Sequence, residues 1–318
     1  MDIDGMDVTR REASARERTE RRLAGERRCD ADGVLPDGVP VRAEGSLAAV
    51  HRVSYGGTAG SFSEMAARRM FPEAELLPRR TFPEACDVLA AGECEAAVLP
   101  LRNTSGGAVD TVYRLLERGL HVARFTDLYV EHCLAALPGT RMEDVRTVVS
   151  HPQAFAQCSK IIGSHGWRME PADNTAFAPG IVKAAGDPAK AAICSRAAAA
   201  LNGLAVLDPN ICDTPRNDIT RFVAVTRGLI VTPDASRLSV LVHLAHRTGA
   251  LAEALDVLAD RGLNLSAISA QPVPEKPWEY SFFLDIEAAA MAPSALAALR
   301  QFAAELPMVR VVGWYGEG

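Results

Sequence analysis

From His51 onward, short apolar runs alternate with amphipathic stretches, the pattern of a strand followed by a helix. Arg52 to Tyr55 reads as a strand, and Gly56-Gly57-Thr58-Ala59-Gly60-Ser61-Phe62-Ser63-Glu64 as a Gly-rich turn into a helix from Glu64 to Met70, with Ser61 or Ser63 as its cap. A helix from Phe82 to Ala91 leads to Glu95–Pro100, whose unbroken apolar run predicts a buried parallel strand. The polar loop 101–107 and an amphipathic helix from Val109 to Glu117 follow. A second series comprises an apolar stretch at His132 to Leu137, a strand at Thr147 to Val149, and the loop Ser150-His151-Pro152-Gln153. That loop opens a helix from Ala154 to Ile162, which carries Gln157. A helix from Ala176 to Ala185, a strand from Ala191 to Cys194 and a helix from Ser195 to Leu201 come next. After a long connection, Asp208 to Asn217, the chain enters a strand at Thr220. Two α/β lobes with a late return to the first are expected, with a small-molecule cleft at their junction.

The period changes after Thr232-Pro233-Asp234-Ala235-Ser236. Strands are predicted at Leu238 to Ala245, Leu265 to Ala270, Tyr280 to Glu287 and Val309 to Trp314, with helices from Gly249 to Arg261 and from Pro293 to Leu306. This β-α-β-β-α-β order is that of a ferredoxin-like unit. The reading is therefore an α/β chain with a two-lobed region at 51–230, a separable module at 236–315 and a preceding extension at 1–50.

That extension mixes Arg10, Arg11, Arg16, Arg18, Arg21, Arg22, Arg27 and Arg28 with Glu12, Glu17, Glu20 and Glu26, then passes into a Gly/Pro/Asp stretch. It has no apolar core of a signal peptide, and its interspersed acids would neutralise a phosphate-binding stripe, so a solvated, poorly ordered segment is expected. A net charge of -6 argues against a nucleic-acid surface over the whole 318-residue chain. No apolar stretch approaches the roughly 20 residues needed to cross a bilayer. Seven cysteines without Cys-x-x-Cys spacing suggest reduced, mostly buried thiols and a cytoplasmic setting.

The candidate chemistry lies in loops at the ends of strands, where open α/β sheets place their ligands. In Asn217-Asp218-Ile219-Thr220-Arg221-Phe222 a hydroxyl and a guanidinium are adjacent, so strand alternation turns one toward a cleft while the other braces it. A hydroxyl can donate a hydrogen bond to a leaving group, and an arginine can hold a carboxylate with two parallel bonds. The amides at the start of the first helix can attract an anion, although the same turn also serves as an ordinary strand-to-helix connection.

Taken together, 56–64, 100–107, 150–153 with Gln157 and Cys158, and 220–222 resemble the prephenate dehydratases that carry a C-terminal ACT domain, from about residue 52 to residue 315. In the ACT region Gly249-Ala250-Leu251 and Pro277-Trp278-Glu279 look like effector-binding elements. The resemblance implies a two-lobed, periplasmic-binding-protein-like catalytic region. It also implies the decarboxylative dehydration of prephenate to phenylpyruvate, in phenylalanine biosynthesis, without metal or organic cofactor. By the family pattern Thr220 assists the departing hydroxyl, and Asn103, Ser105, Ser150 and Gln157 orient the substrate. Arg221, Thr58, Ser61, Arg102 and Phe222 are the substrate-binding candidates, Arg221 either holding a carboxylate or bracing the loop. Gly249, Ala250, Leu251, Gln271 and Pro272 are the effector candidates, for L-phenylalanine. A homodimer or homotetramer is implied, with neither nucleic acid nor membrane as a partner.

Two departures matter. Arg102 stands where the family usually has Glu before the loop Asn, and a guanidinium cannot deliver a proton as a carboxylic acid can. It either binds a substrate carboxylate or turns outward. Ser269-Ala270-Gln271-Pro272 replaces the usual Glu-Ser-Arg-Pro, which leaves a different effector or a purely dimerising module open. Two other functions remain: a decarboxylase that retains the hydroxyl, disfavoured by Thr220, and a catalytically silent amino-acid sensor. Among the remaining residues, His151 reads as a loop former rather than a base, and His243 and His246 as surface residues. Trp278 reads as a pocket wall or a packing aromatic, and Cys158 as a core-facing helix residue.

Overall fold

The first strand-helix series folds as β1 (Arg52–Gly56), α1 (Phe62–Met70), β2 (Glu75–Arg79), α2 (Phe82–Ala90), β3 (Ala96–Asn103), β4 (Gly107–Ala108), α3 (Asp110–Glu117) and β5 (His121–Tyr129). The second comprises β6 (Cys133–Ala136), β7 (Thr147–Ser150), α4 (Pro152–Gln157), α5 (Ser159–His165), β8 (Arg168–Pro171), α6 (Ala178–Ala185), β9 (Lys190–Cys194), α7 (Arg196–Leu201) and β10 (Ala205–Asp208). The chain returns to the first lobe as β11 (Ile219–Thr226). This computed structural model describes residues 47–214, 218–273, 276 and 278–318. Residues 1–46 of the N-terminal extension, with Cys29, and Asn217 and Pro277, lie outside the described residues. The described chain divides into one compact unit that runs to Gly228 and another from Leu229 to Gly316.

In the first lobe β2, β1 and β3 run parallel, and β11 pairs antiparallel with both β3 and β5. The α1 helix begins where Ser61 Oγ accepts from the Glu64 amide at 3.2 Å while Glu64 Oε2 accepts from the Gly60 amide at 2.6 Å. Two otherwise orphaned donors are satisfied, a contribution of about 1 kcal/mol for the cap alone. Ala66, Ala67 and Met70 of α1 then pack on Val53, Tyr55, Val98, Phe222 and Ala224 of the sheet.

The second lobe has the order β10-β6-β9-β7-β8. Period-two alternation sends Cys133 and Ala135 of β6 to one face, with Val149, Ala178, Val182 and Ala198, and Leu134 and Ala136 to the other, with Phe155, Ile162, Trp167 and Ile193. Both faces are covered, as a largely apolar sheet requires.

The helix expected from Ala154 to Ile162 is instead two helices, broken at Cys158, whose φ of -121° leaves the helical region. The break is satisfied from a distance in sequence. Asp213 accepts from the Lys160 amide at 3.0 Å and from Ser159 Oγ at 2.7 Å, and its own amide donates to Gln157 O at 2.7 Å. Cys158 is buried at that break rather than within a helix. The structure also adds β2, β4, β5, β8 and β10; β2, β8 and β10 lie at sheet edges, where partial exposure weakens the hydrophobic signal.

The second unit contains β12 (Arg237–His243), α8 (Ala250–Ala259), β13 (Asn264–Pro272), β14 (Tyr280–Glu287), α9 (Pro293–Glu305) and β15 (Met308–Glu317). Its antiparallel order β13-β14-β12-β15 is that of the ferredoxin-like unit. Leu238, Val240 and Val242 of β12 meet Val257, Leu258, Leu299 and Phe302 of the two helices in one core. No helix among the described residues is long and apolar enough to cross a membrane.

Candidate active site

Thr220 lies opposite Asn103 in the β11–β3 ladder, immediately before a bulge in the register between Arg221 and Phe222. A bulge at the end of a ladder re-aims neighbouring side chains. Asn103 and Thr220, directly opposite in the ladder, meet as a directed pair. Asn103 Oδ1 accepts from the Ser105 amide and from the Gly106 amide, both at 2.8 Å. Backbone N–H groups can only donate, so the orientation of the Asn103 side chain is fixed. Its Nδ2 donates to Asp218 Oδ1 at 2.6 Å and to Thr220 Oγ1 at 2.8 Å. The Thr220 oxygen thus receives a hydrogen bond and keeps its own proton for another acceptor.

Ser105 extends the group across the lobes. Its hydroxyl lies 2.7 Å from Asn103 Oδ1 and 3.2 Å from Asp218 Oδ1, and accepts from Gln157 Nε2 at 3.2 Å. Gln157 Oε1 lies 3.0 Å from His132 Nε2. The His132 ring also meets the Phe62 ring edge-on at a centroid distance of 5.6 Å. Thr220, Asp218 and His132 are 7%, 3% and 1% exposed, so the bonds from Asn103 to Thr220 and Asp218 and between His132 and Gln157 are partly shielded from water, which strengthens them, whereas Ser105 is exposed. Burial holds the His132 imidazole below its ordinary pKa, opposed by the Gln157 hydrogen bond and the nearby Asp218.

The Arg221 guanidinium sits on the opposite face of β11 from Thr220. It donates through Nε and Nη2 to Asp127 at 2.8 and 2.5 Å and lies 4.3 Å above the centre of the Phe125 ring. This is the bracing arrangement. Arg102 is half-buried, across the ladder from Arg221. Phe222 is core, packed under α1 rather than on a cleft wall, because the strand alternation that turns it inward also buries Ala224. Ser150 is fully buried and donates to Ile193 O at 2.6 Å, so its hydroxyl proton holds β7 to β9.

Ser61 is buried as the α1 cap. Thr58 lines a cavity of about 480 Å³ between the lobes, with Gly57, Pro78, Arg79 and Arg80 from one side and Asp173, Phe177 and Ile181 from the other. The Arg80 to Asp173 ion pair, at 2.6 Å, crosses it. That cavity contains neither Thr220 nor Asn103, so the sequence candidates divide between two stretches of the lobe boundary. The four residues brought together are Thr220, Asn103, Ser105 and Gln157. His151 is the N-cap of α4: its Nδ1 accepts from the Gln153 amide at 3.1 Å, and burial lowers its pKa, with Asp173 opposing.

Asp218 and His132 were absent from the sequence candidates. Asp218 stands two residues before Thr220 and therefore on the same strand face, a readable signal. His132 gave only its place at the mouth of an apolar run.

In the second unit, Gly249 has φ of +84° at the start of α8, and Ala250 and Leu251 line a cavity of about 160 Å³ with Arg247, Trp278 and Tyr280. Trp278 is 80% exposed, so it is not a packing aromatic. Gln271 is buried and donates to Ser269 Oγ at 3.2 Å, and Pro272 is exposed; neither lines that cavity.

Residues 53–228 match the family Prephenate dehydratase, and residues 238–304 match the family ACT domain. An Arabidopsis thaliana arogenate dehydratase/prephenate dehydratase is 34% identical over 284 residues, covering 83% of this chain and 71% of its own length. The bifunctional chorismate mutase/prephenate dehydratase of Escherichia coli is 33% identical over 272 residues, covering 83% and 70%. Among solved structures, the Arthrobacter aurescens prephenate dehydratase in complex with L-Phe superposes with a TM-score of 0.76 at 29% identity, covering 84% of this chain and 90% of that one.

Proposed function

Because this chain belongs to the prephenate dehydratase family and is a dehydratase with an ACT domain behind the catalytic region, we propose that it converts prephenate to phenylpyruvate, with Thr220 assisting the departing hydroxyl. The observation that carries this reading is the direction of the hydrogen bond between Asn103 and Thr220.

Prephenate loses carbon dioxide from one ring carbon while the electron pair released moves through the diene and expels hydroxide from the opposite carbon. The ring becomes aromatic, which supplies the driving force. One proton joins the departing oxygen, so the products are phenylpyruvate, carbon dioxide and water. A threonine hydroxyl is a weak acid, yet a positioned donor stabilises charge that develops on the leaving oxygen. Asn103 supports this by donating to the same oxygen, which makes Thr220 a better match for a partly transferred proton. Arg221 braces β11 against β5 through Asp127, and Ser150 ties β7 to β9.

The related proteins named for both arogenate and prephenate make arogenate the substrate to run beside prephenate. Turnover of each by the purified full chain tests the reading, scored as phenylpyruvate enolate absorbance in alkali and as phenylalanine released. Carbon dioxide release without an aromatic product would overturn it.

For the C-terminal unit we propose L-phenylalanine as effector, supported by the Arthrobacter aurescens complex and by the cavity beside Ala250 and Leu251. Titration of activity with L-phenylalanine tests this. An unchanged rate at millimolar effector together with no binding by calorimetry would overturn it.

A further inference from the structure

We propose that His132 is a positioning residue for the dehydration, acting through Gln157 and Ser105 on the group that carries Thr220. Its kinetic test rests on the dehydratase reading. Its structural test does not.

The donors can be followed outward from the backbone. Asn103 Oδ1 is an acceptor in every protonation state, fixed in place by the amides of Ser105 and Gly106. Ser105 Oγ lies 2.7 Å from that oxygen, with Asp218 Oδ1 at 3.2 Å as its other oxygen neighbour. The one hydroxyl proton of Ser105 is committed to this side, so toward Gln157 it presents a lone pair. Gln157 must then face Ser105 with its amide nitrogen, as it does at 3.2 Å. Rotating the amide by 180° would set two acceptors against each other. Gln157 Oε1 is left pointing at His132 Nε2 at 3.0 Å, and an amide oxygen can only accept.

His132 therefore carries its proton on Nε2. Its Nδ1 is buried and has no hydrogen-bond partner among the described residues. Burial disfavours a charge there, so the neutral Nε2–H tautomer is the form that fits. The result is a single direction of donation, from His132 to Gln157 to Ser105 to Asn103, and from Asn103 to Thr220. Each bond in such a series polarises the next. Removing the first donor frees the Gln157 amide to turn and withdraws the bond that Ser105 receives from across the lobe boundary.

The distinguishing experiment uses the geometry of isosteres. A glutamine amide nitrogen can occupy the place of the histidine Nε2, whereas an asparagine amide reaches only the place of Nδ1. With full-length protein and prephenate, His132→Asn and His132→Phe are expected to lose roughly 10- to 100-fold in kcat with KM within about twofold, and His132→Gln to restore kcat to within a few-fold. A residue needed only to fill space would not separate Gln from Asn in this way. Equal kcat in the Gln and Asn variants overturns the proposal. Independently of activity, long-range nitrogen-proton correlation on histidine-labelled wild type, assigned by the through-space contact of the His132 ring with the Phe62 ring, reads the tautomer. Protonated Nε2 with bare Nδ1 supports the inference, and the opposite tautomer overturns it even where the variants fail to fold. A wild type that turns over neither prephenate nor arogenate would remove the dehydratase reading, while the tautomer would still decide whether His132 heads the donor series.

Discussion

Asn103 donates to Thr220 Oγ1 at 2.8 Å through a side chain whose orientation two backbone amides determine, and this leaves the threonine proton available. The relationship predicts that Asn103→Asp is more damaging than its size suggests. An aspartate can still accept from Ser105 and Gly106, but it presents Thr220 with an acceptor in place of a donor. The Thr220 proton would then turn inward. We expect kcat to fall about 100-fold, comparable to removal of a single positioned donor, and the melting temperature to fall as well, because the new carboxylate faces Asp218 Oδ1 where the Asn103 amide donated at 2.6 Å. Thr220→Val should lose as much, and Thr220→Ser should retain most of the activity. Steady-state kinetics on the three variants checks this, and wild-type turnover by Thr220→Val would dismiss Thr220 as the donor.

Arg221 and Asp127 form a two-point ion pair with the guanidinium over Phe125. Lysine carries the charge but not the planar fork. Arg221→Lys is therefore expected to lower stability by about 1–2 kcal/mol, with Asp127→Asn doing the same and the double variant costing less than the sum. Urea unfolding of the four proteins measures the coupling. Sites that contribute independently would give additive losses and refute the bracing role.

The parts of this molecule that could be read in advance are those governed by neighbours in sequence. The turn at Gly56 to Glu64 announced α1 because Ser61 and Glu64 stand three residues apart and cap it reciprocally with Gly60. Thr220 and Arg221 fall on opposite faces because strand side chains alternate. What escaped depends on partners distant in the chain. The break at Cys158 is stabilised by Asp213, 53 residues beyond Lys160, which no local periodicity encodes. Ser150 looked equivalent to Ser105 as a polar loop residue, yet Ile193 O takes its proton. His132 gained meaning only when the fold brought Gln157 to it, 25 residues away.

His132 and His151, together with His243, whose pKa burial and Lys276 also lower, make stability depend on pH. Burial lowers the pKa of both His132 and His151, and the Gln153 amide donates to His151 Nδ1, which must be unprotonated to accept. In the unfolded chain each imidazole titrates near about 6.5. Below that value the unfolded state binds more protons than the folded state, so stability rises with pH through this window and is lost as pH falls toward the depressed folded values. The urea midpoint should accordingly be lower at pH 5 than at pH 7.5. His151→Asn, which keeps an N-cap acceptor without a titrating ring, should flatten part of that slope. An unchanged slope would remove His151 from the account.

Gly60 and Gly106 both lie where the lobes meet, and they predict different responses to a methyl group. A Cβ on Gly60 would come within 2.6 Å of the Ala198 Cα and 2.7 Å of its amide nitrogen, at a φ of +84° that L residues rarely adopt. Backbone cannot yield, and the Gly60 carbonyl also accepts from Ser195 Oγ at 2.5 Å, so any shift would break the cap of α7. A Cβ on Gly106 would meet Gln153 Nε2 at 2.7 Å, which is the end of a flexible side chain that can swing away. Gly60→Ala should therefore destabilise by roughly 2–4 kcal/mol, combining backbone strain with a clash, while Gly106→Ala should cost under about 1 kcal/mol. The kinetic consequences should run the other way in proportion to stability. Gly106 donates its amide to Asn103 Oδ1, so a small displacement of that loop disturbs the Thr220 partner directly. Thermal melts and kcat measured on both variants separate the effects. If Gly106→Ala proved as unstable as Gly60→Ala, the lobe boundary near Gln153 would be as rigidly packed as that near Ala198, and Gln153 would not be the yielding neighbour.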